Sequence, residues 1–133
     1  MRVTTNLYPS FSVSNFERSL AFYDVVMATV GVPRWNEIES KGIREAEYGS
    51  EEDLKRLSII ESPNYSSENT QIFSSSLSFR AENKSEVDTF FITAIANGAN
   101  EVEKPGFRED NSYSASVKDP DGHEIGAYCS NSN

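Results

Sequence analysis

The chain repeats itself. Ser10-Phe11-Ser12-Val13, then Ser14-Asn15-Phe16-Glu17 and a helical run to Gly31, has a second copy in Ser78-Phe79-Arg80-Ala81, then Asn83-Lys84-Ser85-Glu86 and a helical run to Gly98. Phe22-Tyr23 lies over Phe90-Phe91 at an offset of 68 residues, about half of the 133. Self-similarity on this scale constrains the architecture before any single element does, because each copy must be one supersecondary unit. A unit of about 60 residues with one helix buries too little apolar surface to stand alone, so the two copies must pack together.

Each copy opens on an alternating strand. Leu7, Phe11 and Val13 share one parity, as do Leu77, Phe79 and Ala81, while Ser10, Ser12, Ser76 and Ser78 take the other. Period two describes a sheet with one apolar and one wetter face. A capping box is expected next, Ser14 with Glu17 and Asn83 with Glu86, the Glu reaching back to the amide of the cap residue. The first helix, roughly 15–30, stacks Phe16, Leu20, Tyr23, Met27 and Val30 on one stripe. The second, roughly 84–97, offers Val87, Phe91 and Ala94, and stops at Asn97-Gly98, where a left-handed cap is expected. Strand-like runs follow at Arg34–Ile38, Ile43–Tyr48 and Leu57–Glu61, then at Asn100–Lys104, Tyr113–Lys118 and Glu124–Cys129. Both halves therefore read β-α-β-β-β. The expectation is one domain over 1–133, with a first module at about 1–62, a Ser- and Asn-rich loop at 62–75, and a second module at about 76–130.

Composition narrows the partners. Leu, Ile, Val and Phe fill 30 of 133 positions, above the level at which a charged chain stays disordered. A net charge of −9 repels phosphate backbones and anionic lipid, so neither nucleic acid nor a membrane surface is expected as a partner. No apolar run approaches the ~20 residues of a membrane span, and no charged-then-apolar leader opens the chain. The single Cys129 can form no internal disulfide, which fits a cytoplasmic location. Cys129 reads as a small buried hydrophobe, and His123 as an exposed residue at a hairpin tip with no partner for catalysis. Glu17-Arg18 and the Glu51-Glu52-Asp53 run read as solvated charge.

Three motifs in register now carry a resemblance. Val13-Ser14-Asn15-Phe16-Glu17-Arg18-Ser19 with Ala21-Phe22-Tyr23 resembles the opening of the vicinal oxygen chelate superfamily, which includes glyoxalase I, bleomycin-resistance proteins and extradiol dioxygenases. Leu77-Ser78-Phe79-Arg80-Ala81, Val87-Asp88-Thr89-Phe90 and Asn97-Gly98-Ala99 resemble the start of its second module, and Asp119-Pro120-Asp121-Gly122-His123-Glu124-Ile125 its last hairpin. The resemblance implies an α+β fold: two βαβββ modules pairing into a curled mixed sheet around a concave cleft, with helices on the convex side.

The superfamily's enzymes usually hold a divalent ion in that cleft through His, Gln or Glu. Carried over position by position, those ligands fall on Tyr8, Ser76, Gly126 and, within Leu57–Glu61, on Ser58 or Ile60; Glu61 has the wrong parity. Hydroxyls, an alkyl chain and a glycine are not the donors such an ion takes, so neither a metal nor another cofactor is expected. The remaining cleft-facing parity collects Ser10, Ser12, Ser78, Arg80 and Tyr128, and Trp35, Tyr48 and Tyr113 lie on strands able to add aromatic wall. That combination suits a hydrogen-bonding, stacking pocket for a small organic molecule. The expectation is a metal-free binding protein of the sequestration or resistance type, a homodimer, with the cavity walled by both modules and Ser76 central to it. An enzyme of the same superfamily, with a relocated ion or none, and a partner-binding module without a pocket are the alternatives.

Overall fold

A computed structural model describes residues 9–49, 56–61 and 76–130. Within them the order is β1 (Ser10–Ser12), α1 (Phe16–Ala28), β2 (Arg34–Ser40), β3 (Ile43–Tyr48), β4 (Leu57–Glu61), then β5 (Ser76–Arg80), α2 (Lys84–Ala96), β6 (Asn100–Phe107), β7 (Tyr113–Lys118) and β8 (Glu124–Cys129). The two helices are 13 residues each and begin 68 positions apart, the offset of the sequence repeat. This is the α+β, twice-βαβββ architecture that the repeat predicts. The 62–75 loop, Tyr8 and the Glu51-Glu52-Asp53 run lie outside the described residues.

Each module makes one four-stranded mixed sheet, in the orders β1-β4-β3-β2 and β5-β8-β7-β6. The first strand runs parallel to the last, Ser10 beside Ser58 and Ser78 beside Gly126, and the other pairs are antiparallel. Phe11, Ala46, Tyr48, Leu57 and Ile59 of the first sheet and Phe79, Ala115, Val117, Ile125 and Ala127 of the second are buried on the face that meets the helices. They join Phe16, Phe22, Tyr23, Val26 and Met27 of α1 and Val87, Phe90 and Ala94 of α2 in one hydrophobic cluster. In the strands without register shifts the alternate residues face away from the helices, as period two requires, whereas β2 and β6 change face at their shifts.

Local chemistry departs from expectation in four places. The cap of α1 is Asn15, whose side chain accepts from the Arg18 amide at 3.0 Å, and not Ser14. Offset 68 maps Asn15 onto Asn83, which caps α2 by accepting from the Glu86 amide at 2.9 Å. Ser14 is drawn away instead, its hydroxyl donating to Asp121 at 2.6 Å. Glu86 does reach back, but to the Glu82 amide at 2.8 Å and not to that of Asn83. Two strands also run longer than expected. β2 continues to Ser40 because Lys41 and Gly42, at φ 56° and 83°, turn the chain in two left-handed residues. β6 continues through Pro105 to Phe107, since an edge strand interrupted by register shifts tolerates a missing N–H.

The modules are tied by the turn between β7 and β8. His123, expected at an exposed tip, is 4% exposed and its ring stacks on Phe11 at 4.3 Å and 4°. Its Nε2 lies 2.7 Å from the Ser12 carbonyl, which can only accept, so the Nε2 proton is donated there. Asp119 accepts from the Tyr23 hydroxyl at 2.5 Å and from the amides of Asp121 and His123 at 2.9 and 2.8 Å. Asp121 takes Ser14 and Arg18 in turn. The contact partners lie over a hundred residues away, which is why the hairpin's own sequence gave the wrong exposure for His123.

Candidate ligand-binding cleft

The helix-free face of the second sheet is built in rows. Arg80, Tyr128, Ser114 and Gly106 stand side by side across four strands, and Ser78, Gly126, Ser116 and Glu103 form the next row. Gly126 holds the second row low. A Cβ there would lie 2.9 Å from the Ala115 carbonyl oxygen and 3.2 Å from Ser78 Oγ, so any larger residue would displace backbone.

A turn over residues 108–112 rises beside these rows. Arg108 N–H donates to the Ser112 carbonyl at 2.8 Å, and Asn111 sits at φ 71°, a conformation Asn tolerates. Asp110 Oδ1 accepts both the amide and the hydroxyl of Ser112, at 2.9 and 2.7 Å, and those two bonds hold its carboxyl below the usual carboxylate range. Arg108 braces the turn from beneath: its guanidinium donates to Ser114 Oγ at 2.9 Å and to the carbonyls of Lys104 and Ser114 at 2.7 Å each.

Between the first row, Ser78 and the turn lies an open cleft of about 590 Å³. Its lining is Ser78, Arg80, Ser114 and Tyr128 from the strands and Asp110, Asn111 and Ser112 from the turn, with Cys129 and Ser130 closing one end. The volume lies in the range of small-molecule sites. Hydroxyls, an amide, a half-exposed phenol ring, a guanidinium and a carboxylate give hydrogen bonds, stacking and charge of both signs.

Of the residues that sequence reasoning offers, Ser78, Arg80 and Tyr128 line this cleft. Gly126 lies under it in the same row as Ser78, and Ser76 is exposed at the far end of β5, opposite Glu124. Ser10, Ser58 and Ile60 share the helix-free face of the first sheet, where Ser10 Oγ meets Ser58 Oγ at 2.5 Å. Trp35 is half-exposed where the β2–β3 register shifts. Among the described residues, the lining of this cleft comes from the second module.

Two aromatic expectations are corrected. Tyr48 is fully buried on the helix side, donating to Asp24 of α1 at 2.9 Å, and burial pushes its hydroxyl far above the usual phenol range. Tyr113 shares the parity of Ala115 and Val117 and donates to Asp88 of α2 at 2.7 Å, which raises it as well. Both rings fasten a strand end to a helix and leave the cleft. Their parity, shared with buried aliphatics two residues away, is the signal that assigns them to the core.

Sequence reasoning missed the turn, Asp110 to Ser112, and its brace Arg108. Asp-Asn-Ser is good turn chemistry, but nothing local says that this turn overhangs the open face. It also missed Glu45 and Glu47, which stand on the helix-free face of the first sheet opposite Ile60 and Ser58. Burial pushes the Glu45 carboxyl up, a hydrogen bond with Ser58 opposes this, and the neighbouring charge of Glu47 adds to the rise.

Of the positions that the resemblance assigns to metal ligands, the described ones carry none of the donors usual for a divalent ion. Ser58 is buried against Ser10, Ser76 offers a neutral hydroxyl, Ile60 an alkyl chain and Gly126 nothing. Among the described residues no three His, Cys, Asp or Glu come together, and no helix is long and apolar enough to cross a membrane. Glu61, set aside on parity, does point to the helix side, where its Oε1 accepts from the Phe16 amide at 3.1 Å.

No protein-family model and no curated protein matches the chain. Solved structures do. A glyoxalase/bleomycin resistance protein from Albidiferax ferrireducens T118 is 31% identical, over 91% of this chain and 94% of that one, with a TM-score of 0.69. A glyoxalase/bleomycin resistance protein/dioxygenase family enzyme from Burkholderia phytofirmans PsJN is 21% identical, covering 90% and 94%, at 0.62. A glyoxylase/bleomycin resistance protein/dioxygenase domain from Frankia sp. EAN1pec is 14% identical, covering 97% and 99%, at 0.73. The last two speak for the fold alone.

Proposed function

The chain belongs to the glyoxalase/bleomycin resistance protein family of the vicinal oxygen chelate superfamily, and from that premise we propose that it binds a small organic molecule without a metal ion, for sequestration or resistance. The observation that carries this reading is the cleft of about 590 Å³ on the helix-free face of the second sheet. Its donors and acceptors are pre-positioned: Ser114 is held by Arg108, Asp110 by Ser112, and the strand rows fix Ser78, Arg80 and Tyr128. Preorganised polar groups around a stacking surface favour binding, because less freedom is lost when the ligand arrives.

At the positions that the resemblance assigns to metal ligands the sequence has Tyr8, Ser76, Gly126 and Ser58 or Ile60, none of them an imidazole or carboxylate, and this supports the metal-free part of the reading. A cytoplasmic homodimer belongs to the same proposal; sedimentation at micromolar concentration tests the assembly. Binding itself is tested by a thermal-shift screen of antibiotics, aromatic metabolites and other small organic molecules in the presence of chelator. A ligand of the native state raises the midpoint by mass action. The expected result is a set of stabilising compounds whose effect disappears in Ser78→Trp, which fills the cleft from an exposed strand position. Stabilisation that appears only with a divalent cation added, or that survives in Ser78→Trp, contradicts the proposal.

A further inference from the structure

The cleft carries opposite charges at its two sides. Arg80 stands on β5, an edge strand, and two strands away lies β7, whose leading turn holds Asp110. Two strand spacings separate those backbones by about 10 Å. Between them in the same row is Tyr128, 38% exposed on the helix-free face. Arg80 and Tyr128 are neighbours in one row, and Asp110 stands on the turn that leads into β7, so a cation, an aromatic ring and an anion all line the cleft.

We propose that the cleft selects a small zwitterionic aromatic molecule, its acidic group held by Arg80, its ring on Tyr128 and its cationic group held by Asp110. The inference rests on the reading of the cleft as a ligand site and names the class of ligand. Arg80 has an interaction within the chain, and a guanidinium's five N–H donors allow it to engage more than one acceptor. A planar guanidinium recognises a carboxylate in two-point geometry, which a single ammonium does not. Asp110 spends Oδ1 on Ser112 and keeps the acceptor sites of its other oxygen. An exposed carboxyl is ionised at neutral pH, and the hydrogen bonds that lower that of Asp110 favour the same form.

Net charge favours the same class. A simple organic anion approaches a surface of −9 against repulsion, and a simple cation would bind that surface at many places. A molecule with both charges avoids the first and is picked out of the second by Arg80. Hydroxyls of Ser78 and Ser114 then serve substituents on the ring edge.

The probe is 4-(aminomethyl)benzoate, with 4-methylbenzoate and 4-methylbenzylamine as controls that each lack one charge. Affinities are measured by calorimetry and ligand-observed NMR for the intact chain, Arg80→Gln and Asp110→Asn. The expected result is zwitterion binding roughly tenfold tighter than either control, the margin of one charge-assisted contact. Arg80→Gln removes the advantage over the amine, and Asp110→Asn the advantage over the acid. Equal binding of all three compounds, indifferent to both substitutions, overturns the zwitterionic class while leaving a small-molecule cleft. Binding of none, beside another compound that raises the thermal midpoint, overturns the class alone. Binding of none, with no compound of a broad panel raising the midpoint, overturns the ligand site as well.

Discussion

Two carboxyl groups show how single residues divide between holding the fold and facing a ligand. Asp119 is buried between the modules, and burial raises its carboxyl even though Tyr23 and two amides donate to it. Tyr23 is pushed well above the phenol range by its own burial and by that neighbouring carboxylate. Replacing Tyr23 with Phe takes one donor from a buried acceptor, at a cost of about 1–3 kcal/mol in urea unfolding at neutral pH; wild-type stability would contradict this role. Glu45 differs, standing on the open face of the first sheet with its carboxyl raised. A carboxyl raised on folding binds more protons folded than unfolded, so its contribution to stability falls as pH rises through the raised value. Glu45→Gln is therefore expected to melt higher than wild type at neutral pH. The gap should close near pH 4, where the carboxyl is protonated. A gap of constant size across that range would contradict the assignment.

At the scale of elements, the caps are the sharpest local statement. Asn15 and Asn83 occupy equivalent places in the repeat and each satisfies an amide of its helix's first turn. Asn15→Ala and Asn83→Ala should each cost about 1 kcal/mol in chemical denaturation. Ser14→Ala should cost less, since it removes an exposed bond to Asp121 and leaves the cap intact. Equal losses at Ser14 and Asn15 would return the cap to Ser14. The helices and the succession of strands along the chain were legible because periodicity is local, and parity alone places Ser78, Arg80 and Tyr128 on the open face. Tyr48 and Tyr113 are not wall residues: the parity they share with Ala46 and Ala115 belongs to the helix side, where they bond to Asp24 and Asp88, and the expectation of an aromatic wall passed over that parity. The cap escaped because Ser14 and Asn15 are both good caps, and only the 68-residue offset separates them. Extents escaped where an unusual residue was tolerated, Lys41 in a left-handed turn and Pro105 on an edge.

At the scale of the molecule, what the sequence could not convey was contact between distant parts. The burial of His123 depends on Phe11 and Ser12, more than a hundred residues earlier. The cleft depends on a turn, 108–112, that overhangs a sheet whose other rows lie in β5 and β8. The repeat predicts two similar open faces, but the side chains on them diverge. The first module presents Glu45, Glu47 and a bonded serine pair, and the second presents hydroxyls, Arg80 and Tyr128 over a glycine floor. This asymmetry is the reason for placing the proposed site on the second module. The most direct measurement is a map of backbone amide NMR shifts on adding a stabilising compound, with and without chelator. Changes gathered at Ser78, Arg80, Asn111, Ser112, Ser114 and Tyr128, the same in both conditions, are the predicted outcome. Changes gathered at Ser10, Glu45 and Ser58, or present only when a divalent ion is supplied, would contradict it.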